Sequence, residues 1–284
     1  MVFAEKIIFG KRRILNLIFT ILFVYAALVC LMFQFQRSFI YFPNRIHETP
    51  DSVGAKEVEV IAVQPANMKV SIDGWYQAPA DSSKPVILYF HGNGLSVPSY
   101  YSRVEPFLKS GYGVLMAEYR GYGGNPGVPT EKGLYADADA YYQWLVQRAH
   151  IPGSQIILYG LSLGAGIAVD QAVKHPEAMA LILEAPFTSL PDVARPHYFF
   201  LPVDWLMLDR YSNKRKIGKI DLPLLIMHGE KDMVVPSALG KQLFDLANQP
   251  KVIKLYEDAG HNDVVERGGM QDTMAFLETL KLRH

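Results

Sequence analysis

The chain has 284 residues, half of them apolar, and its 28 basic side chains are balanced by 28 acidic ones. That length and composition suit one large α/β domain with an appendage and exclude a disordered chain, while zero net charge leaves no global field to attract nucleic acid or anionic lipid. The single cysteine, Cys30, excludes a disulfide framework and a cysteine-ligated zinc site.

The first element in chain order is apolar. Ile14 to Phe33 is interrupted only by Asn16 and Thr20, and about 20 such residues at ~1.5 Å each cover a hydrocarbon core of about 30 Å. The stretch predicts a transmembrane helix. A cleaved signal peptide would have an apolar core of about 7 to 15 residues and small residues after it, and Leu31-Met32-Phe33-Gln34-Phe35 offers no such site. Lipid attachment at Cys30 lacks the small residue expected beside the cysteine, since Leu28-Val29 precedes it. Lys6, Lys11, Arg12 and Arg13 precede the span and Arg37 and Arg45 follow it closely, so the positive-inside rule puts the N-terminus in the cytoplasm and the rest of the chain on the opposite face. Residues 1–37 are therefore expected to be a cytoplasmic tail and transmembrane helix, and residues 38–55 a juxtamembrane junction.

After the helix, Phe39-Ile40-Tyr41-Phe42-Pro43 is an aromatic segment suited to the membrane interface or to packing a domain onto it. From Lys56 the period falls to two. Val58, Val60 and Ala62 form one run, and Val70, Ile72 and Trp75 form a second after Pro65-Ala66-Asn67, the pattern of an antiparallel hairpin at a sheet edge. Short, continuously apolar runs then alternate with helical segments, as in a parallel sheet covered on both faces. The predicted strands are Val86 to Phe90, Val114 to Ala117, Ile156 to Tyr159, Leu181 to Leu183, Leu224 to Met227 and Val252 to Leu255. Between the second and third, Thr130 is a predicted N-cap and Leu134, Ala138, Tyr141 and Leu145 recur along one helical face. Met270 to Leu282 is amphipathic in the same way. Residues 56–284 thus predict a mostly parallel sheet with helices on both faces, interrupted at 188–221 by a cap-like insertion longer than an ordinary crossover. Its aromatic stretch, Tyr198 to Leu206, fits a cap lining an acyl pocket, a contact with the bilayer, or a helix packed on the core.

The chemistry centres on Ile156 to Gly166. A run of β-formers ends in Gly160-Leu161-Ser162-Leu163-Gly164 and passes into small, helix-compatible residues, the form of a nucleophile elbow. Ser162 is expected on a sharp strand-to-helix turn, where a Cβ at 160 or 164 would crowd the backbone. A serine hydroxyl needs a base at neutral pH, and His261 follows the last strand in the loop Glu257 to Asp263, at the sheet edge where such sites form. The imidazole needs a carboxylate to fix its tautomer. Asp232, ending His228-Gly229-Glu230-Lys231-Asp232 after a strand, is placed ahead of Glu230, Asp263 and Glu184, and it completes the order Ser162, Asp232, His261 expected of α/β-hydrolases. The oxyanion needs preorganised N–H donors. Those of Leu163, directly after the nucleophile, and Asn93, in Phe90-His91-Gly92-Asn93-Gly94, are expected to serve, with His91 shaping the loop.

Taken together, His91-Gly92-Asn93-Gly94, Glu118-Tyr119-Arg120-Gly121-Tyr122-Gly123, Pro129 to Leu134, Gly160 to Gly164, Gly229 to Asp232 and the aromatic segment ending Ile40-Tyr41-Phe42-Pro43 resemble the membrane-anchored α/β-hydrolase-domain proteins related to the yeast bud-emergence hydrolase. The resemblance covers nearly the whole chain and implies the α/β-hydrolase fold and the same triad, in a family similar to lipases, acyl-protein thioesterases and peptidases. Gly121 and Gly123 indicate a tight loop that Arg120 braces.

The expectation is a single-pass membrane serine hydrolase that cleaves carboxylic esters or thioesters of acyl or lipid type through an acyl-enzyme. Its partners would be that substrate, lipid or lipidated protein included, and the bilayer; no nucleic acid is expected. No metal or cofactor is expected either, since the chain has no His-x-x-x-His, no phosphate loop and no dinucleotide fingerprint in strand–helix context. A peptidase on the same fold would use the same triad but should show a charged pocket for a peptide terminus. A non-catalytic, membrane-tethered binding protein is disfavoured by the intact triad and both elbow glycines.

Overall fold

The computed structural model describes residues Val2–Lys281, with side chains from Arg12 to Leu280. Lys6 and Lys11, which enter the orientation expectation, and Leu282, the expected end of the last helix, lie outside the described side chains and residues. The first helix, α1 (Val2–Phe35), contains the predicted apolar span, and Arg12–Phe39 is long and apolar enough to cross a membrane. Its apolar side chains meet little protein; Phe23 is 75% exposed.

A short strand β1 (Phe42–Pro43) leads to the hairpin β2 (Glu59–Val63) and β3 (Ile72–Gln77), paired antiparallel with Val60 opposite Trp75. Then follow β4 (Val86–Phe90), the two-residue β5 (Gly94–Leu95), α2 (Tyr101–Lys109), β6 (Gly113–Ala117), α3 (Glu131–Gln147), β7 (Ile156–Leu161), α4 (Leu163–Lys174) and β8 (Ala180–Glu184). The insertion contributes α5 (Leu190–His197) and α6 (Val203–Leu206), and the chain closes with β9 (Leu224–Gly229), α7 (Ser237–Leu246), β10 (Lys251–Tyr256) and α8 (Met270–Lys281). Each of the six predicted strands after the hairpin appears, Val86–Phe90 with the same ends and the others extended by one or two residues.

The strands form one eight-stranded sheet in the order β10-β9-β8-β7-β4-β6-β3-β2, parallel from β10 to β6, with the hairpin as its antiparallel edge. Their apolar continuity has a direct cause. Strands β4, β6, β7, β8 and β9 are buried along their full length, and each face of the sheet carries its own apolar cluster. The edge strand β10 instead has partly and fully exposed residues. Helix α3 starts at its expected cap, where Thr130 Oγ1 accepts from the Gly133 N–H at 3.0 Å, and its predicted stripe Leu134, Ala138, Tyr141 and Leu145 is fully buried.

Residues Ile40 and Tyr41, within the 38–55 junction, are buried in the main core cluster, and β1 runs parallel to β5. This pairing joins the end of the apolar helix to the loop after β4.

Candidate active site

At the C-terminal end of β7 the chain turns directly into α4. Ser162 occupies the turn with φ 51° and ψ −113°, a region L-residues rarely adopt. Its N–H donates to the Glu184 carbonyl at 2.8 Å, tying the turn to the neighbouring strand. A Cβ at position 160 would collide with the Gly164 carbonyl, and one at 164 with the Phe90 carbonyl oxygen. Both glycines of the motif are thus sterically required where the helix crosses the ends of β4 and β7.

The three residues expected to act together are in contact. His261 Nε2 lies 3.0 Å from Ser162 Oγ, and His261 Nδ1 lies 2.7 Å from Asp232 Oδ2. The other oxygen of Asp232 accepts from the N–H groups of Val234 and Val235, each at 2.8 Å. Burial is the largest influence on this carboxyl and pushes its pKa up, but hydrogen bonds from His228, His261 and the Val235 N–H outweigh it and hold the group well below the usual carboxylate range. Asp232 is therefore ionised across the physiological pH range.

The alternative carboxylates are occupied elsewhere. Glu230 pairs with Lys241 at 3.1 Å; Asp263 accepts from the Gly260 N–H at 2.6 Å within the histidine loop; Glu184 is fully buried, accepts from Tyr159 at 2.9 Å and is paired with Arg103.

Leu163 is the first residue of α4, so its N–H has no acceptor within the helix and lies at the positive end of the helix dipole. Asn93 lines the same cleft as Ser162 and His261, together with Gly92, Tyr100 and Arg103. Three bonds fix Asn93: its carbonyl accepts from the Tyr122 hydroxyl at 2.8 Å and the Phe42 N–H at 2.9 Å, and its side-chain amide donates to the Ile40 carbonyl at 2.9 Å. Beneath this loop His91 is fully buried, with Nε2 2.9 Å from Glu118 and the ring packed on Tyr100 and Tyr119. Arg120 forks onto Asp137 of α3 with bonds of 2.6 to 3.0 Å and also donates to Asn67, while Gly121 and Gly123 take positive φ in the turn beside it.

Two residues at the site escape motif reasoning. His228, fully buried at the end of β9, places Nε2 2.8 Å from the Val235 carbonyl and 3.3 Å from Asp232 Oδ2, and so braces the loop that presents the carboxylate. Its only sequence signal is a histidine that directly follows the apolar run Leu224-Leu225-Ile226-Met227. Arg103 of α2 pairs with Glu184 and donates through Nη1 to the Asn262 carbonyl at 2.8 Å, pinning the loop that carries His261. The carboxylate of Glu184 keeps this guanidinium charged against the opposing effect of burial. Nothing in its local sequence sets Arg103 apart from a surface arginine. Among the described residues, no group of three or more His, Cys, Asp or Glu side chains could hold a metal.

Residues 81–214 match the family model described as serine aminopeptidase, S33. An uncharacterized protein of Mycobacterium tuberculosis is 34% identical over 256 residues, 89% of this chain and 90% of that protein. The chain belongs to the α/β-hydrolase family. Solved structures of the same fold include a Pyrococcus furiosus esterase, with a TM-score of 0.67 at 18% identity over 85% of this chain and 98% of that one. An α/β hydrolase from Vibrio vulnificus has a TM-score of 0.65 at 23% identity over 77% and 81%. The lysophosphatidylserine lipase ABHD12 of Danio rerio is 39% identical over 198 residues, 62% of this chain but 51% of the lipase, so the α/β hydrolase described here spans about half the length of that relative. The chain is accordingly a hydrolase, and its mostly parallel sheet is that family's fold.

Proposed function

We propose that this hydrolase is a membrane-anchored serine esterase or lipase whose substrates are carboxylic esters or thioesters carrying an acyl chain. The observation that carries the reading is the unbroken hydrogen-bonded series from Ser162 through His261 to Asp232, with links of 3.0 and 2.7 Å. Ser162 Oγ attacks the acyl carbon as its proton passes to His261 Nε2, and the ionised Asp232 holds the imidazole in the tautomer that can accept it. The N–H groups of Leu163 and Asn93 receive the charge that develops on the carbonyl oxygen. Collapse expels the alcohol or thiol with the proton from His261, and water repeats the sequence to release the acid. The acyl preference is supported by the lipase and esterase names among the relatives and by the apolar helix beside the domain. In this reading the helix crosses the bilayer with the basic N-terminal residues in the cytoplasm and the hydrolase domain on the other face.

Labelling with a fluorophosphonate probe and turnover of p-nitrophenyl esters test the reading. Wild-type protein labels, and Ser162→Ala abolishes both labelling and a rate advantage of about 10^4-fold or more. Equal labelling of the two proteins refutes the assignment. The family model's aminopeptidase description favours a second reading, peptidase activity with the same three residues. Faster turnover of aminoacyl-anilides than of acyl esters would establish it.

A further inference from the structure

The insertion between β8 and β9 touches the N-terminal segment at two heights, on α1 and on the 3-10 turn Gln36–Phe39 that continues it. The Tyr25 hydroxyl donates to the Phe200 carbonyl at 3.0 Å. Eleven positions later, Gln36 donates through Nε2 to the Leu206 carbonyl at 3.2 Å and accepts the Leu208 N–H at 2.8 Å. Just beyond, Arg37 pairs with Asp209 at 2.9 Å. The strap from Phe200 to Asp209 therefore runs alongside the helix, in the direction from its apolar middle to its polar end.

This register fixes depth. Tyr25 lies eight residues inside Phe33, the last residue of the uninterrupted apolar span, which is about 12 Å along the helix axis. If α1 crosses a bilayer, as the proposed function holds, the Phe199-Phe200 turn lies on the hydrocarbon side of the interface. The polarity of the strap follows the same gradient. At the Tyr25 level Phe199 is 82% exposed and Phe200 is also uncovered. Trp205, 90% exposed, sits one residue from the Gln36 level, where the amphipathic indole is at home. The strap's charges are paired: Asp204, two residues short of the Gln36 level, accepts from Arg195 at 2.9 Å, and Asp209, beyond it, from Arg37.

Irregular backbone survives next to lipid only if its polar groups are satisfied within the protein. Here the Phe200 and Leu206 carbonyls and the Leu208 N–H are met by Tyr25 and Gln36, and the N–H groups of Leu201, Val203, Trp205, Leu206 and Met207 are met by carbonyls of the strap itself. Between strap and helix lies a small apolar cavity, lined by Met32 and Phe39 on one side and by Leu201, Val203 and Leu206 on the other.

We infer that residues 198–208 form a monotopic wedge immersed in the same leaflet that α1 leaves, with Phe199 and Phe200 among the acyl chains and Trp205 at the headgroups. The occupant of this exposed apolar surface is lipid, because the surface is continuous with the apolar face of α1 and its depth is set by bonds to that helix. The reading rests on α1 spanning the membrane, and the test separates the two claims.

With Cys30→Ser as background, single cysteines are introduced by Phe199→Cys, Trp205→Cys, Leu22→Cys in α1, and Ser82→Cys in the exposed loop before β4, at the opposite end of the parallel strands. Each full-length protein is labelled with an environment-sensitive fluorophore and reconstituted in phosphatidylcholine vesicles that carry a nitroxide either near the headgroup or deep in the acyl chain. The expected result is a several-fold greater loss of emission at 199 than at 82, strongest with the deep nitroxide, and quenching at 205 strongest with the headgroup nitroxide. Quenching at 22 with positions 199 and 205 no more quenched than 82 overturns the wedge and leaves the spanning helix standing. Absence of quenching at 22 overturns the spanning helix and the wedge together.

Discussion

The elbow and the strap illustrate two ways a chain specifies structure. Around Ser162 the determinants are steric and local: two glycines that admit no Cβ, a positive φ held by a bond to the adjacent strand, and buried strands on either side. Along residues 198–208 they are sparse and remote, a few side-chain hydrogen bonds to residues about 170 positions earlier in the chain. The first region is rigid because alternatives clash. The second is placed by bonds whose strength depends on the surrounding solvent, since a hydrogen bond that water can replace contributes little, and one in a low-dielectric setting contributes more.

The largest expected effect that sharpens this contrast is at the carboxylate. Asp232→Asn leaves the shape of the site but removes the charge that selects the histidine tautomer, and kcat for an acyl ester should fall about 10^4-fold with little change in labelling geometry. The same substitution has a thermodynamic signature. The folded pKa of Asp232 is depressed, so the stabilisation from its ionised form is present above the unfolded carboxylate value of about 4 and is lost as pH falls below it. Urea midpoints should therefore separate wild type from Asp232→Asn at neutral pH and converge in acid.

Next in size is the elbow itself. Gly164→Ala drives a methyl group into the Phe90 carbonyl and should cost about 3 kcal/mol or more, since backbone on both sides must move. A thermal midpoint unchanged from wild type would break the claim that the turn is sterically determined.

The smallest effect belongs to the strap. Tyr25→Phe removes one neutral hydrogen bond and should shift stability in detergent by about 1 kcal/mol or less, with hydrolysis of a soluble ester unaltered. A large loss of that activity would show that strap and catalytic residues are coupled, contrary to the division drawn above.

The same division explains what could be read from the sequence. Strands β4, β6, β7, β8 and β9 declare themselves because both faces are buried and their residues must be apolar, and the Thr130 cap and its helical stripe follow from local rules. Ser162, Asp232 and His261 were legible because each lies in the segment that follows a strand, and the structure brings them within hydrogen-bonding distance. Arg103 and His228 were not, because their roles arise from partners 159 and four residues away that only folding brings into line. The insertion offered three readings because aromatic residues are equally at home in a core, a pocket or a bilayer. Its bonds to Tyr25 and Gln36 favour the last, and none of the three has a local signature.

The pairing of β1 with β5 has a consequence for how the protein can be handled. Phe42 and Ile40 supply two of the three bonds that hold Asn93, so the residues immediately after the apolar helix are part of the folded domain rather than a loose tether. A fragment cut after Pro43 would lose the apolar helix and also release the Asn93 loop, so low activity in that fragment would not by itself show a need for lipid. A cut before Arg37 keeps those bonds and allows the two effects to be measured apart.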